Sequence, residues 1–138
     1  MSVRINRASL EALLAEYAEK KVEALGEQFV HDARGRSSRR TGRLADSIEA
    51  GPPEHERHAV RCTIRVGEEY GRYQDEGTGI FGPHGERITA TRPGGVLVFD
   101  WPAAGGTVFA RSTAGAPGTR FWSDTIDDWS RIVRQVAA

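Results

Sequence analysis

One cysteine, no net charge and no long apolar run set the first limits on this 138-residue chain. A lone Cys62 leaves no internal disulfide framework and no cysteine-rich metal site, which suits folding in a reducing cytoplasm. Nineteen basic and nineteen acidic residues cancel, so no global field draws the chain to nucleic acid, membrane or acidic substrates. Any such attraction has to come from a local patch. Nothing approaches the ~20 consecutive apolar residues of a membrane span, and the first residues lack the apolar core of a signal peptide. The expectation is a protein of the cytosol, or of a particle built there.

Catalytic signatures are missing as well. The sequence contains no nucleophile-elbow pattern, phosphate loop, dinucleotide fingerprint or Cys-x-x-Cys pair. His31, His55, His58 and His84 show no metal-ligand spacing. Glu68, Glu69, Asp75 and Glu76 can hold a divalent ion in principle, but solvated cover of a short helix is the commoner explanation. No enzyme, metal or cofactor is therefore expected. The competing hydrolase reading rests on that acidic cluster and His84.

Sixteen glycines and six prolines are unevenly spread, most of them between Gly67 and Gly118, so the middle reads as loop-rich and the ends as regular. Leu10, Leu13, Leu14, Tyr17, Leu25, Phe29 and Val30 recur at three- and four-residue intervals after a potential cap at Ser9. The spacing predicts a helix over about Ser9–Ala33, roughly 37 Å long. That length overhangs the core of one small domain, and part of the stripe is expected to meet a neighbouring subunit through Leu13 and Tyr17. Gly26 marks a bend or a close packing contact inside it.

Residues 33–43, ARGRSSRRTGR, bring Arg34, Arg36, Arg39, Arg40 and Arg43 together without an acid and read as a loop. Such guanidinium groups suit phosphate or a partner's carboxylates, and a mobile basic loop is the plainer alternative. A short helical turn leading into a strand follows at 44–50. His58–Val66 alternates Val60, Cys62, Ile64 and Val66 with polar positions, the pattern of a half-buried strand. Glu68–Glu76 reads as a short helix or turn. Strands are expected at Gly95–Asp100 and Thr107–Arg111 around a hairpin turn, and an amphipathic helix at Arg120–Ala138. Phe81, Phe99, Trp101 and Phe109 crowd the glycine-rich middle. Either the hairpin wraps a neighbour, or it folds as a flap over the sheet. The fold expected is α+β: a long N-terminal helix and a C-terminal helix packed on a curved, mainly antiparallel sheet, as one domain over 1–138 with a central insertion at about 79–115.

Thr41-Gly42-Arg43-Leu44 with Ser47-Ile48, then Tyr70, Tyr73 and Glu76-Gly77-Thr78, then Pro117-Gly118 and Phe121, together resemble the tail-completion, or head-tail joining, family of long-tailed double-stranded DNA bacteriophages. The likeness runs over about residues 9–137. Gly71 stands where that family usually carries alanine. The resemblance implies a structural neck or tail protein of the virion, assembled in the host cytoplasm. It implies a ring, often sixfold, around the DNA channel, in contact with stopper, tail-terminator and tail-tube proteins. A terminator or stopper role in a neighbouring layer, and a small DNA-binding module working through the arginine loop, are the alternatives.

Overall fold

The computed structural model describes residues 1–37 and 42–137. In chain order the elements are α1 (Arg7–Arg36), α2 (Arg43–Asp46), β1 (Ile48–Ala50), β2 (Glu54–His55), β3 (Val60–Arg61), β4 (Ile64–Val66), α3 (Gly71–Glu76), β5 (Ile88–Thr89), β6 (Leu97–Trp101), β7 (Gly106–Ala110), β8 (Ser112–Thr113), α4 (Phe121–Asp127) and α5 (Trp129–Ala137). Single 3-10 turns lie at Gly79–Phe81 and Pro102–Ala104. The fold is α+β, as the sequence leads one to expect. In place of one curved sheet, however, the described strands pair as four separate two-stranded antiparallel ladders.

The chain divides into two compact units, Met1–Glu68 with Phe121–Ala138, and Glu69–Arg120. The first is organised by α1, whose 30 residues span about 45 Å. The helix starts two residues before the expected Ser9 because Asn6 caps it, Oδ1 accepting from the Ala8 and Ser9 amides at 3.0 and 3.4 Å. It also runs three residues past Ala33, through part of the stretch expected to be a loop. Ser37 closes it by donating its amide to Ala33 O at 3.0 Å and its hydroxyl to Arg34 O at 2.9 Å. Arg34 and Arg36 in the last turn also complement the negative end of the helix dipole.

Burial along α1 begins only at Gly26 and continues through Phe29, Val30 and Ala33. These side chains join Leu44, Ile48, Phe121 and Ile132 in the apolar core of this unit. Phe29 meets Trp122 edge-on at 5.0 Å between ring centroids, a favoured aromatic geometry. Buried Thr125 is satisfied by donating its hydroxyl to Phe121 O at 2.6 Å. The expected single C-terminal helix is interrupted at Asp128, giving α4 and α5.

The long alternating strand expected over His58–Val66 is divided into β3 and β4. Pro52 and Pro53 on the opposing chain lack N–H donors, and no ladder can form across them. From the Ala50↔Ile64 pair to the Glu54↔Arg61 pair one chain advances by four residues and the other by three. The extra residue makes a bulge at the prolines.

In the second unit, residues 77–80 lie beside residues 114–118. Thr78 and Ile80 donate their amides to Ala116 O and Ala114 O at 2.8 and 2.9 Å, and Thr119 N donates to Gln74 O at 2.7 Å. β5 pairs with β8, and β6 with β7 from Leu97↔Ala110 to Trp101↔Gly106, so the expected central hairpin is present.

Candidate assembly surfaces

Because α1 has no fully buried residue before Gly26, and Leu10, Leu13, Leu14 and Tyr17 are all exposed, the first half of its apolar stripe stands in solvent. Leu13 and Tyr17 are 63% and 62% exposed, and Leu10 and Leu14 beside them are also exposed. Spacings of three and four residues place these side chains on one face. Arg7 and Glu11, and Glu16 and Lys20, form exposed ion pairs along the same stretch at 2.8 and 2.9 Å. Such pairs contribute little to stability, and this part of the helix is held mainly by continuity with its packed half.

The β6–β7 hairpin carries apolar residues on both faces. Leu97, Phe99, Val108 and Ala110 alternate into a half-buried face. Val98 and Phe109 form a cross-strand pair on the other and are 58% and 69% exposed. Trp101, in the half-buried set by register, is itself exposed at the hairpin tip, and Phe81 is exposed in its 3-10 turn. Half-burial of Phe99 separates it from the other aromatic interface candidates.

The arginines do not act as one free cluster. Arg34 donates Nε and Nη2 to Ile48 O at 3.1 and 2.7 Å, tying the end of α1 to β1. Arg36 donates Nη1 to Thr125 Oγ1 at 3.2 Å and pairs through Nη2 with Asp128. Asp128 also takes Arg131 at 3.2 Å, and Arg131 reaches Asp32 at 3.0 Å. The hydrogen bonds from Arg36, then Arg131, hold the Asp128 carboxyl below the usual carboxylate range. Arg43, largely exposed, pairs with Glu68 at 3.2 Å. Arg39, Arg40 and Thr41 lie outside the described residues.

The motif residues serve local folding. Gly42 and Gly77 take positive φ, +73° and +89°, at the start of α2 and the end of α3, a backbone region open to glycine. Leu44 and Ile48 are core residues, and Ser47 donates its hydroxyl to Leu44 O at 2.8 Å. Phe121 is core as well. Gly77 bridges Pro117, and a Cβ on Gly118 would sit 2.2 Å from Asp75 O, so only glycine fits there. Tyr70 is half-buried and Tyr73 exposed. Cys62 lies against Gly26, and burial pushes its thiol up, with Glu23 adding to the effect; a protonated thiol is a packing group, not a nucleophile.

An open groove of about 490 Å³ in the second unit is lined by Tyr73, Glu76, Thr78, His84 and Arg87, among others. Glu76 is paired there with Arg72 at 3.2 Å, and Arg87 donates to Ser112 Oγ at 3.1 Å. Among the described residues no three His, Cys, Asp or Glu side chains come together in a metal-binding group.

What these features define is a small α+β protein with exposed apolar groups along a helix face and a hairpin face. Residues 5–77, from just before α1 to the glycine after α3, match the HK97-gp10-like family, described as "Bacteriophage HK97-gp10, putative tail-component". The chain belongs to that family, a phage tail component. The matched stretch contains Gly42, Leu44, Ser47, Ile48, Tyr70, Tyr73, Glu76 and Gly77; Pro117, Gly118 and Phe121 lie beyond it. Neither a search of curated proteins nor one of solved structures returns a match. Among the described residues no helix is long and apolar enough to cross a membrane.

Proposed function

We infer that this chain is a structural, non-catalytic subunit of the phage head-tail connector or tail end, several copies of which close into a ring around the DNA channel. The ring joins tail to head, in contact with stopper, terminator and tail-tube proteins. The observation that carries this reading is the exposed stripe Leu10, Leu13, Leu14 and Tyr17, on a helix whose fully buried positions begin only at Gly26. Exposed contiguous apolar surface marks interaction sites, and in a tail component the available partners are tail proteins and further copies of the chain. The internal bonds of Arg34 and Arg36 support assembly over a phosphate-gripping basic loop.

The test is a copy count and a position. Quantitative mass spectrometry of purified particles is expected to give several copies per tail, and electron microscopy of labelled particles to place them at the head-proximal tail end. A single copy per particle, or label elsewhere on the tail, would overturn the assignment.

A further inference from the structure

The ring reading leaves open which surfaces meet; resting on that reading, we propose that the exposed stripe of α1 in one copy seats on the Val98/Phe109 face of the β6–β7 hairpin of the next copy. The contact is head-to-tail, using two different patches, and such heterologous contacts are the kind that close into rings. Both patches are apolar at the centre and exposed.

Charges at their ends fit the same pairing. On α1, Glu11 edges the stripe towards the N-terminus and Lys20 towards the C-terminus, on opposite sides of the apolar row. Nine residues at the helical rise separate them by about 13 Å along the axis. On the hairpin, Asp100 stands beside Thr107 near the turn, donated to by its hydroxyl at 2.8 Å, while Arg111 follows two residues after Phe109 at the open end. Four residues at the strand rise separate these two levels by about 13 Å as well. Acid and base are again on opposite strands. Laying the helix along the hairpin sets Lys20 against Asp100 and Glu11 against Arg111 with Leu13, Leu14 and Tyr17 over Val98 and Phe109. Glu11 and Lys20 are held in the single copy only by exposed partners on their own helix, Arg7 and Glu16, which do not prevent re-pairing. The opposite alignment sets Lys20 against Arg111 and Glu11 against Asp100, so the charges select one direction.

The test uses particles carrying the full chain with Cys62→Ser, which leaves a hydroxyl donor for Gly51 O, plus Leu14→Cys and Val98→Cys, treated with a short bis-maleimide. A head-to-tail contact gives a ladder of dimers, trimers and larger species, at least tenfold stronger than the dimer from Leu14→Cys or Val98→Cys alone. Lys20→Glu or Asp100→Lys alone is expected to cut the ladder about tenfold, and the two together to restore it. Links confined to one chain, dimers from Leu14→Cys alone, or failure of the double charge exchange to restore the ladder would each overturn the contact. Several copies per particle without a ladder would overturn the contact and leave the ring subunit assignment standing; a single copy per particle would overturn both.

Discussion

Gly26 of α1 crosses so close to Cys62 that a Cβ built on the glycine would lie 2.9 Å from Cys62 Sγ and 3.4 Å from Ala50 Cβ. The close approach lets the helix lie on the β1–β4 region, and it puts two effects of opposite sign at one position. In an exposed helix, alanine would stabilise by about 1 kcal/mol over glycine. Here the added methyl meets a half-buried sulfur that is itself held by Gly51 O at 3.3 Å, and overpacking of that kind costs about 1–3 kcal/mol.

Gly26→Ala is therefore expected to lower the midpoint of thermal unfolding, and the same substitution in a Cys62→Ala background to raise it. Circular dichroism melts of the four proteins give the coupling directly. If Gly26→Ala stabilises with Cys62 intact, the packing account of Gly26 is wrong.

The Arg36–Asp128–Arg131 cluster sets an acid-sensitive contribution. Its carboxylate is held below the usual range, so Asp128 binds its proton less readily in the folded chain than in the unfolded one, where the value is about 3.9. The resulting stability is fully present above that unfolded value and is lost as pH falls through the lower folded one. Melting temperatures followed from pH 7 to pH 2 are expected to fall less steeply for Asp128→Asn than for the parent protein, with the variant less stable at neutral pH. Parallel curves would mean that the cluster contributes nothing to folding.

Two glycines of the second unit separate backbone conformation from crowding. Gly79 and Gly85 both have φ of +63°, but a Cβ on Gly79 would come 2.1 Å from Ala114 O, whereas nothing lies within 4 Å of one on Gly85. Gly85→Ala then costs only the left-handed conformation, about 1–2 kcal/mol. Gly79→Ala must in addition break the alignment of residues 77–80 with 114–118, and is expected to leave the second unit unfolded. Amide hydrogen exchange resolves the two cases: loss of protection at Thr78 and Ile80 in Gly79→Ala, and retention in Gly85→Ala.

Patterns confined to one stretch of chain were legible in the sequence, and those set by distant partners were not. The three-and-four spacing from Leu10 to Val30 announces α1, and the exposure of Leu13 and Tyr17 follows from a helix too long for its core. Glycine at 42 and 77 permits positive φ or close approach at an element boundary, and both positions adopt positive φ. By contrast, Arg34-Gly35-Arg36 has loop composition yet is helical, because its guanidinium groups find Ile48, Thr125 and Asp128, up to 92 residues away. Likewise, the alternation from Val60 to Val66 hides the break that Pro52 and Pro53 impose from the opposing chain. The hairpin's apolar excess could be counted, but which of its aromatics face solvent depends on register: Phe109 pairs outward with Val98, while Phe99 turns to the half-buried side.

Because Leu13 and Tyr17 touch little within their own chain, substituting them separates folding from assembly. Surface changes away from packed features alter stability by no more than about 0.5 kcal/mol, so Leu13→Glu with Tyr17→Glu is expected to melt within a few degrees of the parent and to keep its helical circular dichroism. The same two carboxylates, placed at the centre of a desolvated contact, would be buried without partners, a cost of several kcal/mol for each subunit interface. In particles, the variant is expected to be absent or reduced at least tenfold relative to the parent chain, as measured by quantitative mass spectrometry. Incorporation at the parent level would show that the α1 stripe is not an assembly surface, and would shift attention to the exposed hairpin face at Phe109, whose substitution by glutamate tests the remaining patch in the same way.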